Sequence, residues 1–404
     1  MIINNYIYYI IYYKKGLIYL KFTCDLKNLS SAVNNVSLAI SSKSNVAILE
    51  GVLFKAENNK LLLCGYDSEI GIKTVIDISQ MQEGSIVINS KIIRDILHTM
   101  PDGDILFEVD SNNVVNIKLG EAEYSIVGFN AQDYPKLPEF DTDKNFEIEA
   151  NTLKNMINRT IFSVSTSSAT PILTGELFKC QDGLFEIAAV DGNRLSIYRC
   201  NVVSDNDFEF TIPAKSLNEV VKLLTEYINQ DDIEDENEEN KKSKKVKKVN
   251  IKYDVKHVIF NIGDYEINTG LLAGKFFDYS QNIVREDFTF AICNTIEIIK
   301  SMKKVVVIIN DKSKNPIRLE VKDDEFLFRC ETSLGKAKDI VKQKKEGEDL
   351  EIGFNSKYLL DALKACSEEQ IKMSFAGSIS PIIIKPTEND DFLYLILPVR
   401  LKNE

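Results

Sequence analysis

Only two histidines, His98 and His257, occur in the 404 residues, and neither stands beside a nucleophile motif, so a Ser/His/Asp triad has no natural place to form. Seven cysteines lie singly at 24, 64, 180, 200, 293, 330 and 366, with no C-x-x-C pair. That pattern fits reduced thiols in a cytosolic protein, some serving as small core residues, and it lacks the paired Cys/His spacing of a zinc site. A G-x-x-x-x-G-K-[ST] phosphate loop is absent, and the nearest stretch, "LLAGKFFDY", has too little glycine for a phosphate cradle. Two aspartates, Asp67 and Asp191, remain as candidate carboxylates for an enzyme acting on a nucleotide or sugar. Both follow a strand-like run in register, where a turn role explains them more cheaply. The expectation is therefore a non-enzyme with no metal and no cofactor.

The residues with the clearest shared spacing are lysines. Lys91, Lys215 and Lys357 fall at one place in "INSKIIRDIL", "IPAKSLNEVV" and "FNSKYLLDAL", the first turn of three predicted helices. A positive charge there opposes the helix dipole, so helix stability does not call for it. Further basic residues lie on or near helices: Lys27, Arg94, Lys154, Arg159, Lys222, Lys300, Lys303, Lys304 and Lys364. If these helices shared one face, a protein of net charge -12 would still offer phosphates a basic surface. The alternative is a set of ordinary solvated helix faces. Aromatic residues are not interleaved with the lysines, which argues against stacking on single strands.

The elements that carry these lysines repeat. "ILEGVLFKAENNKLLLCGYDSEIGI" from Ile48 lies over "ILTGELFKCQDGLFEIAAVDGNRLSI" from Ile172, an offset of 124, and the same offset sets Ile88 on Ile212. The third copy follows 142 residues after the second, 18 more than the first interval. Between them, residues 229–249 hold seven acids followed by six lysines, a segment too charged to bury apolar area and read as a solvated insertion. Each repeat shows a helix-like opening, alternating strands, the lysine-bearing helix and further strands with Asn/Gly/Asp turns. The chain is thus predicted to be α+β, with three domains over 20–142, 143–275 and 276–404.

Composition agrees: 44% apolar and 27% charged residues describe a soluble globular protein, and the length suits two to four domains. The opening "MIINNYIYYIIYYKKGLIY" carries six of the sixteen tyrosines beside six isoleucines. Its apolar run stops after about ten residues where a membrane-spanning helix needs about 20. Its charges are in the wrong place for a secretory signal. Residues 1–19 are therefore expected to stand outside the fold as an extra leader.

Taken together, "LKFTCDLKNL", "FNAQDYPKLP", "TPILTGELF", "AVDGNRLSIYR", "GKFFDY", "GFNSKYLLDAL" and "YLILPVRL" resemble the beta subunit of bacterial DNA polymerase III, the sliding clamp, from Leu20 to Leu401. The resemblance implies three clamp domains per chain, helices lining an inner face and antiparallel sheets outside, in a head-to-tail homodimeric ring around duplex DNA. It implies a cytoplasmic processivity factor that holds DNA without sequence preference and serves the polymerase III alpha subunit, the clamp loader and other proteins with clamp-binding motifs. No membrane association is expected. The DNA-facing residues would include Lys43, Lys91, Lys154, Lys215 and Lys357, and Tyr124 and Ile126 would meet Ile308 and Ile309 of the partner subunit. A hydrophobic pocket for short extended peptides would use Leu173, Val190, Gly192, Arg194, Leu195, Phe277, Ile379, Pro381, Leu395, Ile396, Leu397, Pro398, Val399 and Arg400. Arg194 and Arg400 would orient the peptide's polar groups. All of these could instead be ordinary core and edge residues. A protein-interaction scaffold without DNA is the remaining alternative. The chain departs from many members where a proline and a basic pair follow "GKF": it has Phe277, Ser280 and Gln281. It also runs on through Lys402, Asn403 and Glu404.

Overall fold

The computed structural model describes residues 18–41, 44–140, 142–204, 206–230, 246–283, 289–309 and 316–401. Lys43 and most of the charged insertion lie outside the described residues, as do residues 1–17 of the leader. The leader boundary needs correction, however. A strand begins at Ile18, two residues before the expected start: Tyr19 is already in it, and the Tyr19 hydroxyl donates to Asn113 Oδ1 at 3.1 Å.

Six α-helices are described: α1 (Leu26–Val36), α2 (Ser90–Thr99), α3 (Ala150–Thr160), α4 (Ala214–Asn229), α5 (Thr295–Val306) and α6 (Ser356–Ala365). The repeat offset survives folding strand by strand. Gly51–Glu57, Lys60–Tyr66 and Ile70–Asp77 recur as Gly175–Gln181, Leu184–Val190 and Arg194–Asn201. The turns recur too. Asn58 and Asn59 have φ of 52° and 57°, and their counterparts Asp182 and Gly183 have 52° and 78°. Ser68 at φ 79° matches Gly192 at 86°. These left-handed positions are where Gly, Asn and Asp cost least.

The helix starts follow from capping. Asn89 Oδ1 accepts from the Ile92 amide at 3.2 Å, and Asn355 Oδ1 accepts from the Lys357 amide at 3.0 Å, each satisfying a donor the helix cannot. The lysine two positions after each asparagine is thereby set in the first turn and left exposed.

By internal contact the chain divides into two compact units, residues 1–145 with 218–270 and residues 146–217 with 271–404; the division falls within α4. The first unit holds an antiparallel sheet in the order 79–82, 18–25, 104–110, 114–119, 122–127, ending on strand Ala122–Val127. Its other sheet runs 129–130, 84–89, 51–57, 60–66, 70–77 and then, from the second repeat, 265–270, 257–262, 248–253. The second unit holds a sheet ordered 208–213, 175–181, 184–190, 194–201, followed by 392–396, 382–386, 370–375 and 289–294. Its smaller sheet runs 335–342, 325–332, 317–322, 350–354. In each unit one sheet therefore passes without a break from one repeat to the next.

Glu176 departs from the apolar rule. It is fully buried at the place where the first repeat has Val52, and only Oε1 has a partner among the described residues, the Thr160 hydroxyl at 2.6 Å. Desolvation holds its carboxyl well above the usual range. Among the described residues no helix is long and apolar enough to cross a membrane.

Candidate functional site

Strand Phe392–Ile396 is apolar at every position because both of its faces are covered. Phe392, Tyr394 and Ile396 join the core of the third repeat. Leu393 and Leu395 point the other way, opposite Ile197 and Leu195 of the neighbouring strand, and form an apolar floor with Leu177, Ala188, Val190 and Ile383. Cross-strand pairs of this kind stabilise a sheet face. Over the floor lie Leu173, from the short helix Pro171–Thr174, and the segment 275–283, which sends down Phe276, Tyr279 and Ile283.

Of the residues expected to form the pocket, Leu173, Val190, Leu195 and Leu395 pack together on the floor and wall, with Gly192 exposed in the adjoining turn. The chain end leaves along the rim. The Leu397 amide donates to Asn193 O and the Val399 amide to Gly353 O, both at 2.8 Å, so Pro398 removes a donor where none is required. Leu397, Val399 and Arg400 are exposed and Pro398 is half-buried. Ile379, in the turn before the half-buried Pro381, is 84% exposed.

Two expectations, for Ile396 and Arg194, are corrected. Ile396 faces the core rather than the pocket, because strand alternation sets it opposite Leu395. Phe276 packs into the floor, and Phe277 beside it is 49% exposed and lines the cavity above that floor with Leu177, Ile283 and Leu393. Arg194 does not reach outward. Its Nε donates to Asp191 Oδ2 and its Nη1 to Asp361 Oδ2, both at 2.9 Å, and its guanidinium lies over the rings of Tyr358 and Phe162 at 4.5 and 5.4 Å. It fastens strand 194–201 to α6, leaving Arg400 as the accessible arginine.

The two candidate carboxylates are turn residues. Asp67 Oδ1 accepts from the amides of Glu69 and Ile70 at 3.0 and 2.9 Å. Asp191 Oδ1 accepts from Asn193 and Arg194 at 2.9 and 3.1 Å. Both close the same side-chain turn in successive repeats.

Lys91, Lys215 and Lys357 are exposed, while Lys154 is half-buried. Other basic residues are committed: Lys27 to Asp102, Lys304 to Asp339 and Arg159 to Glu368, each at 2.9 Å. Tyr124 and Ile126 are half-buried on the edge strand of the five-stranded sheet. Ile308 and Ile309 are half-buried just past α5. A second unpaired edge, strand Gly335–Lys342, was missed from the sequence; the alternation in "GKAKDIVK" marks a strand but gives no hint that it ends a sheet.

Three family profiles match in sequence: the DNA polymerase III beta subunit N-terminal domain over 20–138, central domain over 147–278 and C-terminal domain over 283–400. The beta sliding clamp of Bacillus subtilis is 30% identical over 394 residues, covering 94% of this chain and 100% of the relative. That of Halalkalibacterium halodurans is 30% identical over 383 residues, covering 91% and 96%. The chain belongs to the DNA polymerase III beta subunit family. As a beta sliding clamp it is a DNA polymerase processivity factor in DNA replication and a non-catalytic polymerase subunit. Its fold is the three-domain clamp fold. The crystal structure of the Bacillus subtilis sliding clamp superposes with a TM-score of 0.87 at 28% identity, covering 95% of this chain and 100% of the other. The beta subunit of Thermotoga maritima gives 0.84 at 25% identity, covering 95% and 100%. The clamp fold thus accounts for the turn aspartates and for sheets that run from one domain into the next.

Proposed function

We propose that two copies of this clamp close head-to-tail into a ring around duplex DNA, each with domains over 18–142, 143–275 and 276–404, and hold the replicative polymerase through the apolar site on the second unit. The observation that carries this reading is that two sheets end on long strands, 122–127 in the first repeat and 335–342 in the third, with no strand beyond them among the described residues. An exposed edge is a template for pairing with another chain, and Val127 and Ile340 stand 74% and 48% exposed on these two. Pairing strand 122–127 of each copy with strand 335–342 of its partner uses both strands of each copy and closes the assembly. Tyr124 and Ile126 then meet Ile308 and Ile309 across each seam.

Lys91, Lys154, Lys215 and Lys357 on the helices, with Lys43, supply phosphate contacts that are weak, independent of sequence and sensitive to salt. A closed ring does not need to grip, because retention is topological. The apolar floor of Leu173, Val190, Leu195 and Leu395, with Gly192, Pro381, Leu397, Pro398, Val399 and Arg400 at its margin, suits a short extended peptide that buries a few aliphatic or aromatic side chains. Such peptides would belong to the polymerase III alpha subunit, the clamp loader and other replication proteins in the cytoplasm. Deleting residues 397–404 is expected to leave the dimer intact and abolish binding of a peptide containing glutamine and aliphatic residues, read by fluorescence anisotropy. Undiminished affinity in the truncated dimer would remove the site assignment.

A further inference from the structure

We propose that Glu186 is a positioning residue for the partner pocket: its carboxylate ties Tyr279, and with it the wall 275–283, to the strands of the second repeat. This deepens the pocket reading above and rests on it.

The segment 275–283 stands over the apolar floor through Phe276, Tyr279 and Ile283. Phe276 and Tyr279 meet edge to face, their centroids 6.4 Å apart. The Tyr279 hydroxyl donates to Glu186 Oε1, while Arg199 Nε donates to Oε2 at 2.6 Å from the adjacent strand. Glu186 is largely withdrawn from water, its side chain 13% exposed, so one carboxylate serves two charge-assisted bonds in a screened site. Burial together with the Glu186 charge pushes the Tyr279 phenol up, which keeps it a donor throughout the physiological range.

The fold does not require this arrangement. Counted back by the repeat offset of 124, Glu186 falls on Leu62 and Arg199 on Val75, so the first repeat builds the same strands without the acid or its cation. In the first repeat Tyr134 instead donates to the backbone carbonyls of Gly51 and Cys64, so the tether through an acid and its cation belongs to the second repeat's wall. Ordering a wall before the peptide arrives removes a cost from binding.

The test uses the full chain as Glu186→Gln, Tyr279→Phe and the double variant. Hydrogen exchange of the amides in 275–283 is expected to quicken about tenfold in each single variant, in line with losing one hydrogen bond to a charged group. The double variant should gain nothing further, and Tyr279→Phe, which leaves the Arg199–Glu186 pair in place, should keep the melting temperature within a few degrees of the wild type. Affinity for the clamp-binding peptide should fall about five- to tenfold in the same non-additive way. Exchange unchanged in Tyr279→Phe, or losses that simply add, would overturn the tether. Faster exchange with peptide affinity unchanged would overturn the positioning role. A wild-type chain that bound no peptide while showing the exchange effect would count against the pocket instead.

Discussion

Glu176 gives the sharpest stability prediction. Its carboxyl is fully buried in strand Gly175–Gln181, beneath α3. Thr160 has one hydroxyl proton, which the Met156 carbonyl accepts at 2.8 Å; a neutral Glu176 can then donate its own proton to Thr160 Oγ1 at 2.6 Å. An ionised carboxylate would be left with Oε2 desolvated and unpartnered. Burial therefore raises the folded-state pKa above the unfolded value of 4.5. Between those two values the folded chain keeps a proton that the unfolded chain has released. Stability consequently falls as pH rises through that window, by about 1.4 kcal/mol per pH unit for one proton. Glu176→Gln removes the titration. Glu176→Val restores the first repeat's Val52 and leaves the Thr160 hydroxyl bonded to Met156. Urea unfolding of wild type and both variants at pH 5, 6, 7 and 8, read as a difference between chains, isolates this group from other carboxylates. Both variants should gain on the wild type as pH rises above the unfolded-state value of 4.5. Parallel pH profiles would refute the buried neutral acid.

The other predictions concern assembly and DNA. Ile308→Asp should give a folded monomer by light scattering and circular dichroism, and a soluble variant that stayed dimeric would move the interface elsewhere. Replacing Lys91, Lys215 and Lys357 with Glu should impair loading or retention on DNA and leave dimerisation unchanged, because each substitution turns a phosphate contact into a repulsion. Arg194→Ala should lower stability by about 3 kcal/mol or more, since it strands Asp191 and Asp361 without their partner; a thermal midpoint like that of the wild type would show the clamp of Arg194 to be dispensable.

The repeat was legible because its spacing survives folding: the same left-handed turns and the same strands recur at an offset of 124, and a capping asparagine opens the lysine-bearing helix in the first and third repeats. The site was legible as a set of residues but not in orientation. "LYLILPV" is apolar throughout, so alternation could not say that Leu395 faces the pocket and Ile396 the core. Phe276 and Phe277 are neighbours of one type, and only the packing tells which ring goes in. Arg194 was read as outward because its second partner, Asp361, lies 167 residues away in sequence. Ile18 and Tyr19 were hidden by the tyrosine- and isoleucine-rich run before them. Glu176 was within reach of the sequence, since laying the repeats together puts a lone acid against Val52.

Encirclement is the central claim, and topology tests it directly. Purified protein is assembled with a clamp loader on nicked circular duplex DNA, separated from free protein by gel filtration, and divided; one half is then cut once with a restriction enzyme. The account predicts that the clamp stays with the intact circle in moderate salt and is lost from the linear DNA, which carries the same sequence and phosphates. Equal retention on both forms would mean that contacts rather than enclosure hold the protein, and would contradict the ring.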